Sequence, residues 1–335
     1  MLTIAIPTYD RNEEIINLLS VLLPQVSQCS YICQILIVDN CSPQPVNESI
    51  DKIISDFPDV QVTVHRNLAN VGLAANLLRC FEFCNTEWMW LLGDDDLVFN
   101  NACELIISKI KDNPDSHFIH FASNLGKRTT EFCAIGVNEL LDKIDNYDNF
   151  NFISVGVYRI IFFKPYISLG YLYDYTISPH IVLLIKGFAE HNLKVTFTNR
   201  EIVEHIRPSE EKAWSRLEFY HRLFIILEIP CFNHEQRQIL YQKIKMNRRL
   251  EEYITTRYLI KAIQEGSQNI KFKFDHSMFR IFYYEQNLFR KIKICLYHLL
   301  FINPSISIKL INLLLALLNR PILSNNKDFS SIERI

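Results

Sequence analysis

The alternation of strand-like and helix-like segments over residues 1–123 limits the folds open to this chain. Apolar runs such as "LTIAIP" (2–7) and "ICQILIVDN" (32–40) have the composition of buried strands, and the amphipathic segment "NEEIINLLSVLLPQV" (12–26) lies between them. Further strands are predicted at 60–67, 88–92 and 117–123. Because strands that alternate with helices are typical of βαβ units, the sequence predicts an α/β domain with a mainly parallel sheet.

The pattern changes after this first part of the chain. Residues 124–176 are irregular and contain clusters of Tyr, Asn and Asp, which predicts an insertion that faces a substrate. A helix with a Ser-Pro start, "SPHIVLLIKGFAEHN" (178–192), comes next. Two short strands, "KVTFTN" and "EIVEHI", follow it, and the chain is predicted to be helical from about residue 211.

Charge divides the chain at nearly the same place. Residues 1–206 carry 14 Lys and Arg against 25 Asp and Glu, a net charge of −11, whereas residues 207–335 carry 21 against 12, a net charge of +9. This asymmetry predicts two parts that meet different partners. The first part is an α/β domain over 1–210, with a donor site in 1–100 and an acceptor region in 124–206. The second part is a basic amphipathic helical region over 211–335.

Cysteine usage and the first residues narrow the class of protein. The nine cysteines form no CxxC pair, so we expect reduced thiols in a cytoplasmic protein and no structural zinc. The start, "MLTIAIPTYDRNEE", lacks the basic region of a secretory signal and is predicted to be the first strand. We expect no nucleic-acid partner.

Polar residues stand at the carboxyl ends of four predicted strands. The first strand ends in "PTYDR" (7–11), the second in Asp39-Asn40, the third in Arg66-Asn67 and the fourth in Asp94-Asp95-Asp96. Such ends meet at one edge of a parallel sheet, where α/β proteins bind ligands, so we expect one acidic cleft there. Each feature taken alone also fits a turn or a helix cap.

Together these segments resemble the nucleotide-sugar-binding half of family 2 glycosyltransferases, which have the GT-A fold. "IAIPTYDRNEEI", "ILIVDNCS", "RNLANVGLAAN" and "WMWLLGDDDLV" are similar, in order and spacing, to that family's P-T-Y-N-R strand, V-D-(N/D)-x-S strand, N-x-G-x-x-x-N segment and D-x-D motif. The resemblance covers about residues 1–206. More narrowly, the chain resembles enzymes that assemble bacterial O-antigen, lipooligosaccharide or capsule repeat units.

The resemblance implies an inverting transferase that moves a sugar from a nucleotide sugar, with a UDP-sugar favoured, to a hydroxyl of a lipid-linked or lipooligosaccharide glycan. It implies that the donor contacts Pro7, Thr8, Tyr9, Arg11, Asp39, Asn67, Asn70, Gly72, Asn76, Asp94 and Asp95, with Arg66 as a further candidate for the diphosphate. It implies that Mn²⁺ or Mg²⁺ is held by Asp96, Asp95 and His205. An aspartate cluster can hold a diphosphate only through such a cation, and "GDDD" leaves the register of D-x-D open.

The general base departs from the family pattern. Many members have a Glu-Asp pair at the start of the helix after the acceptor loop, and Pro179-His180 stands there instead. His180, in a first helical turn that favours a neutral imidazole, and Asp174 are the two candidate bases. The alternative for His180 is a helix histidine that contacts only backbone. The resemblance also implies that Tyr158 and Arg159 line the acceptor pocket.

The region 211–335 joins basic residues to stretches rich in Leu, Ile and Phe. Its longest uncharged run, 294–308, has 15 residues, fewer than the ~20 needed to span a bilayer. The pattern predicts a helical region peripheral to the cytoplasmic face of the inner membrane, or else one that packs on the catalytic domain or forms a homo-oligomer contact.

Two other functions are alternatives to a glycosyltransferase. A nucleotidyltransferase also has an acidic α/β nucleotide site, but "PTYDRNEE" lacks the glycine-rich loop expected after its first strand. A non-catalytic GT-A-like partner protein is the other alternative, which the missing Glu-Asp pair leaves open.

Overall fold

The computed structural model describes residues 1–206 and 222–245, together with residues 283, 284, 288, 289, 291, 292 and 295. The chain divides into two compact units, one of residues 1–214 and 225–247 and the other of residues 215–224 and 248–335. The predicted domain boundary at 210 lies outside the described residues. Most of the predicted basic helical region lies outside the described residues.

Eight strands of the described residues form the central sheet, in the order β3-β2-β1-β4-β8-β6-β9-β7. They are β1 Leu2–Thr8, β2 Ile32–Asp39, β3 Val62–Arg66, β4 Trp88–Leu91, β6 Phe118–Ala122, β7 Phe132–Ile135, β8 Gly156–Arg159 and β9 Lys194–Glu201. Two short strands, β5 Leu97–Val98 and β10 Val203–Glu204, form a separate antiparallel pair.

The helices of the described residues come from the segments between the strands, except the last one, which follows β10 in the chain. They are α1 Asn12–Ser27, α2 Val46–Ser55, α3 Leu73–Phe83, α4 Ala102–Asp112, α5 Gly136–Lys143, α6 Tyr147–Asn151, α7 Ile167–Leu172, α8 Pro179–Glu190 and α9 His234–Lys245. No helix among the described residues is long and apolar enough to cross a membrane.

The sheet is mainly parallel, as predicted. Strand β1 pairs in parallel with β2 and β4, β2 with β3, and β6 with β9. Strands β7 and β8 run in the opposite direction, and β8 lies between β4 and β6. Both reversed strands belong to the segment 124–176, for which the sequence predicted no regular structure.

The position of β1 explains its continuous apolar sequence. All seven of its residues are buried, because neighbouring strands pair with both of its edges and helices cover the sheet. Leu2, Ile4 and Ile6 join one core cluster with the apolar faces of α1, α2 and α4. Burying each such side chain contributes roughly 1.5–3 kcal/mol, so this cluster holds the strand ends that form the site in place.

Candidate functional site

The carboxyl ends of β1, β2 and β3 lie side by side, as the strand-end rule predicts. Thr8 is the register partner of Asp39, and Asp39 is the register partner of Arg66. The aspartate segment after β4 joins this row through a hydrogen bond of 2.7 Å from the Thr8 hydroxyl to Asp94 Oδ2. Polar residues from four strand ends therefore share one edge of the sheet.

Arg11 is the cation that holds two of the three consecutive aspartates. Its Nη1 lies 2.7 Å from Asp94 Oδ1 and 2.8 Å from Asp95 Oδ2. Asp94 is buried, and burial raises its pKa to about 6, although Arg11 and the Thr8 hydroxyl act in the opposite direction. Both Asp94 oxygens are occupied by protein donors, whereas Asp95 is partly exposed.

Asp96 faces a different set of partners from its neighbours. Its Oδ2 accepts a hydrogen bond of 2.5 Å from Ser154 Oγ, and its Oδ1 lies 3.5 Å from His205 Nδ1. The β5–β10 pair explains the second contact: Val98 pairs with Val203 and Leu97 with Glu204, so the next residues, Asp96 and His205, face each other. The structure thus brings together two of the predicted metal ligands.

The surroundings of Asp96 shift the pKa of its carboxyl in two opposite directions. Burial raises the pKa of this carboxyl, while the hydrogen bonds from His205 and Ser154 lower it. A cation placed beside Oδ1, the oxygen that does not bond to Ser154, would stabilise the ionised form of Asp96 further. Opposite charges within a few ångströms favour ionisation.

The donor set fits a divalent metal that is only partly held by protein. Among the described residues, no group of three or more His, Cys, Asp and Glu side chains is arranged as a complete metal site. Mg²⁺ and similar ions are commonly bound by one or two carboxylates, with substrate phosphates and water as the other ligands. Asp96 and His205, with the exposed carboxylate of Asp95 nearby in the chain, match that pattern.

Asp39 is fully buried at the end of β2 with both carboxylate oxygens occupied. Oδ1 accepts from the backbone N–H of Ser42 at 2.9 Å, and Oδ2 accepts from Arg66 Nη1 at 2.5 Å. Arg66 also donates from Nη2 to the Ser42 carbonyl at 2.7 Å. The strand end therefore presents a partly exposed guanidinium beside a fully buried carboxylate.

Four asparagines at the ends of β2 and β3 and the start of α3 form one hydrogen-bond network. Asn40 donates to Asn70 Oδ1 at 2.8 Å and accepts from Asn67 Nδ2 at 3.0 Å. Asn67 Nδ2 also donates to Asn76 Oδ1, and Asn76 Nδ2 donates to the Val38 carbonyl. Asn76 is buried, and both the oxygen and the nitrogen of its side-chain amide form hydrogen bonds with protein groups. Asn76 is therefore a positioning residue.

Gly72 precedes α3 with φ 85° and ψ 162°. A Cβ there would meet no atom within 4 Å, so the backbone conformation, rather than space, requires glycine. The loop that this glycine ends, residues 67–72, is held by the asparagine network. In β1, which lies between β2 and β4, Pro7 is buried, and Tyr9 just after the strand is 42% exposed.

The prediction that Tyr158 and Arg159 line an acceptor pocket is corrected by the direction of β8. Because β8 is antiparallel to β4, its last residues lie at the edge opposite the aspartates. Tyr158 is buried in the core beside Phe81 and Phe118. Arg159 forms an ion pair of 2.8 Å with Glu87, the residue that precedes β4.

His180 is enclosed by protein in the first turn of α8. Its ring is 1% exposed, and Nε2 lies 3.1 Å from the Asn151 carbonyl. A ring nitrogen that faces a carbonyl carries the proton, so Nδ1 is the acceptor atom, and it has no partner among the described residues. Burial lowers the pKa of His180 to about 4. These contacts favour the alternative of a helix histidine that bonds to backbone.

Asp174, the other candidate base, is half-buried in a short 3₁₀ turn, Asp174–Thr176, that packs against α3. The turn precedes Ile177, whose φ of 57° is unusual for a β-branched residue. Ser178 and Pro179 then begin α8 as the sequence predicts, although the Ser178 hydroxyl makes no capping hydrogen bond.

Two residues of the site have roles that the sequence did not predict. Ser154 holds Asp96, and Asn40 connects the loop residues Asn67 and Asn70. Asn40 was placed at a strand end by the sequence, but no role was given to it. Ser154 lies in a segment without recognisable periodicity, so only the folded structure reveals its contact.

Comparison with known proteins shows which family the site-bearing part of the chain is similar to. Residues 3–153 match the model of glycosyl transferase family 2. Over 120 residues the chain is 32% identical to an uncharacterized glycosyltransferase of Haemophilus influenzae, covering 36% of this chain and 38% of that protein. Over 115 residues it is 25% identical to the abequosyltransferase RfbV of Salmonella typhimurium, covering 34% of each. The chain thus aligns with little more than a third of the length of these curated relatives.

Solved structures agree on the fold. Staphylococcus aureus TarS 1–349 in complex with UDP-GlcNAc superposes with a TM-score of 0.55 at 14% identity, over 84% of this chain and 80% of that one. The mannosyltransferase PcManGT of Pyrobaculum calidifontis, in complex with GDP-Man and Mn²⁺, gives a TM-score of 0.51 at 12% identity, over 91% and 86%. At such low identity the likeness shows the fold alone, and it confirms the predicted GT-A architecture.

Proposed function

We propose that the chain transfers a sugar from a nucleotide-sugar donor to a hydroxyl acceptor, because its residues 3–153 match the model of glycosyl transferase family 2. The observation that carries the proposal is the meeting of Asp96 and His205 beside the row of strand ends that holds Thr8 and Asp39. A diphosphate placed there would lie between a metal-binding pair and a base-binding strand end. A nucleotidyltransferase has no comparable support from the family match.

The donor nucleotide is proposed to occupy the edge formed by β1, β2 and β3. Tyr9 offers an exposed ring for a base, and the Asp39–Arg66 pair offers an acceptor and donors for the polar edge of that base. Arg11, with about a third of its side chain exposed, offers a guanidinium to the diphosphate. We propose a UDP-sugar as donor; UDP-GlcNAc is bound by the structural neighbour TarS.

Asp96 and His205, joined by Asp95, are proposed to hold Mn²⁺ or Mg²⁺. When bound, such an ion neutralises negative charge on the leaving nucleoside diphosphate. The protein's own part is to keep the Asp96 carboxylate ionised and oriented, and to keep Arg11 close enough to share the charge of the phosphates. The neighbour PcManGT binds GDP-Man together with Mn²⁺, which supports a divalent ion at this fold's donor site.

An inverting transfer needs a group that accepts the proton of the attacking hydroxyl. We propose Asp174 for this role ahead of His180, because Asp174 is half-exposed in the turn before α8 whereas the His180 ring is enclosed. His180 would serve only if α8 moved enough to expose Nδ1.

The proposed acceptor is a hydroxyl of a lipid-linked or lipooligosaccharide glycan, with the protein peripheral to the cytoplasmic face of the inner membrane. The partial likeness to an abequosyltransferase supports a role in glycan assembly. The net charge of +9 over residues 207–335 supports attraction to anionic lipid.

The proposal is tested by measuring nucleoside diphosphate release from UDP-, GDP-, CDP- and dTDP-sugars, with Mn²⁺ and with EDTA. We expect release from one donor class, loss of release in EDTA, and loss in Asp96→Asn, which removes the charge but keeps the side-chain volume. Asp115→Asn, at an exposed pair with Lys194 near the amino end of β6, is the matched control. Full activity in EDTA would remove the metal from the proposal, and the absence of release from every donor would contradict the function.

A further inference from the structure

We infer that Ser154 is a positioning residue for Asp96 and that it decides which oxygen of this carboxylate faces a divalent cation. The inference rests on the proposed function, because it concerns the metal-binding pair of the donor site. The observation that carries it is a fully buried hydroxyl bonded to a buried carboxylate 58 residues away in sequence.

The hydroxyl of Ser154 has its direction fixed by two hydrogen bonds. Gly93 donates its backbone N–H to Ser154 Oγ at 2.8 Å. A serine hydroxyl carries one hydrogen, and with one acceptor position used by Gly93 that hydrogen is directed to Asp96 Oδ2 at 2.5 Å. Hydrogen bonds to an ionised acceptor are the strong ones, so this contact defines the orientation of the carboxylate.

The backbone of Ser154 is itself anchored to the central sheet. Its carbonyl accepts a hydrogen bond of 2.8 Å from Nε1 of Trp90, which is fully buried in β4. Ser154 lies in a 3₁₀ turn, Ile153–Val155, that leads directly into β8, and β8 pairs with β4. The hydroxyl therefore has a fixed position relative to the strand whose end carries the aspartates.

Gly93 leaves room for the Asp96 carboxylate, because it has no side chain. A Cβ on Gly93 would lie 2.6 Å from Asp96 Oδ2 and 3.2 Å from Ser154 Oγ. Any side chain there would displace the carboxylate, so glycine permits Asp96 to fold back over the turn. Ser154, through its hydroxyl, and Gly93, through its lack of a side chain, both act on the position of Asp96 Oδ2.

With Oδ2 occupied, the other oxygen of Asp96 is the one that faces His205, at 3.5 Å. A carboxylate released from Ser154 can rotate about its last bond and exchange the two oxygens. Loss of a group that orients a metal ligand typically costs about 10–100-fold in metal affinity. We therefore expect Ser154→Ala to weaken Mn²⁺ binding by about this factor while the base-binding strand ends stay intact.

The test is a titration of Mn²⁺ followed by electron paramagnetic resonance, with wild-type protein and variants, alone and with UDP, GDP or CDP. Ser154→Ala and Gly93→Ala should both raise the dissociation constant for Mn²⁺, and Asp96→Ala should abolish binding at this pair. Ser116→Ala is the matched control, because Ser116 is also fully buried and bonded through Oγ, at 2.6 Å, to Thr196 near the opposite edge of the sheet. Its Mn²⁺ affinity should equal that of the wild type.

The outcomes separate this inference from the proposed function. If the wild type binds no Mn²⁺ with any of the three nucleotides, the metal role in the proposed function fails. If the wild type binds Mn²⁺ and Asp96→Ala does not, but Ser154→Ala and Gly93→Ala keep wild-type affinity, Ser154 has a structural role alone and the inference is overturned. If circular dichroism shows that Ser154→Ala does not fold, the Mn²⁺ affinity of Gly93→Ala decides whether the inference holds.

Discussion

At the scale of single residues, Arg11 is the group that makes three consecutive aspartates tolerable. One guanidinium nitrogen lies within 2.8 Å of carboxylate oxygens of both Asp94 and Asp95. Like charges so close would otherwise repel one another, and burial alone already raises the pKa of Asp94. Arg11 thus supplies inside the protein part of the positive charge that the proposed metal would supply when the donor is bound.

Replacing Arg11 by Met should therefore separate two affinities. Without the competing guanidinium, Mn²⁺ alone should bind more tightly, whereas UDP should bind more weakly by about 1.5–3 kcal/mol, the value of a hydrogen bond to a charged group. Isothermal titration of each ligand measures both effects. Arg159→Met, which removes an ion pair with Glu87 at the other edge of the sheet, is the control. Weaker binding of both ligands would show that Arg11 supports the metal site instead of competing with it.

The identity of the base is also decided at this scale. Asp174→Asn should lower turnover by about 10²–10⁴, the usual contribution of a general base, with little change in donor affinity. His180→Gln, which keeps a donor for the Asn151 carbonyl, should retain most of the turnover. Initial rates under saturating donor distinguish the two. Loss in the His180 variant with normal activity in the Asp174 variant would return the assignment to His180.

At the scale of helices and strands, two fully enclosed histidines make stability depend on pH. His120 in β6 accepts from Arg128 Nη2 at 2.9 Å and lies 3.2 Å from the Asn149 carbonyl; burial, and then Arg128, lower its pKa. Burial lowers the pKa of His180 to about 4. Both rings stay neutral in the folded protein, while an unfolded histidine takes up a proton near its ordinary pKa of 6.5.

The free energy of unfolding should be unaffected by these histidines above pH 6.5 and should fall as the pH decreases below it. Each ring contributes a slope of up to about 1.4 kcal/mol per pH unit, and for His180 the loss ends near pH 4. Urea unfolding of the wild type and of His180→Gln at several pH values measures this, and the variant should have the shallower slope. Parallel slopes would mean that His180 is not held neutral.

These elements also show what the sequence could predict. Strands β1, β2 and β4 were predictable because a strand covered on both faces is continuously apolar, and the strand-end rule then placed Thr8, Asp39 and the aspartates together. Strands β7 and β8 have four residues each, which is too short for a periodic signal. Tyr158 and Arg159 were placed in the acceptor pocket by resemblance alone, and nothing in the sequence indicated that β8 runs in the opposite direction to β4.

At the scale of the whole molecule, the separation of charge is the most informative feature. The acidic part, with a net charge of −11, contains the candidate donor site, and residues 207–335 carry +9. This division of charge is compatible with a metal-dependent site for an anionic donor in the acidic part. It is also compatible with attraction of the basic part to anionic lipid. Electrostatic attraction to lipid is screened by salt, which makes the membrane proposal testable with the full chain.

The full chain should sediment with vesicles that contain an anionic phospholipid at 0.1 M salt, in clear excess over vesicles of neutral phosphatidylcholine. At ~1 M salt, where the Debye length is about 3 Å, the difference should largely disappear. Vesicle co-sedimentation at both salt concentrations checks this. Equal binding to both kinds of vesicle, or none to either, would contradict the membrane proposal. It would favour a role of the basic region in packing or oligomer contact.

The central claim is that the edge formed by the ends of β1, β2 and β4 is a metal-dependent nucleotide-sugar site. It is tested most directly by a crystal of the protein with UDP and Mn²⁺, measured at the manganese absorption edge. We expect an anomalous peak in contact with Asp96 and His205, with the diphosphate on its other side and the base near Tyr9 and Asp39. A manganese peak away from Asp96, or a nucleotide bound elsewhere on the molecule, would contradict it.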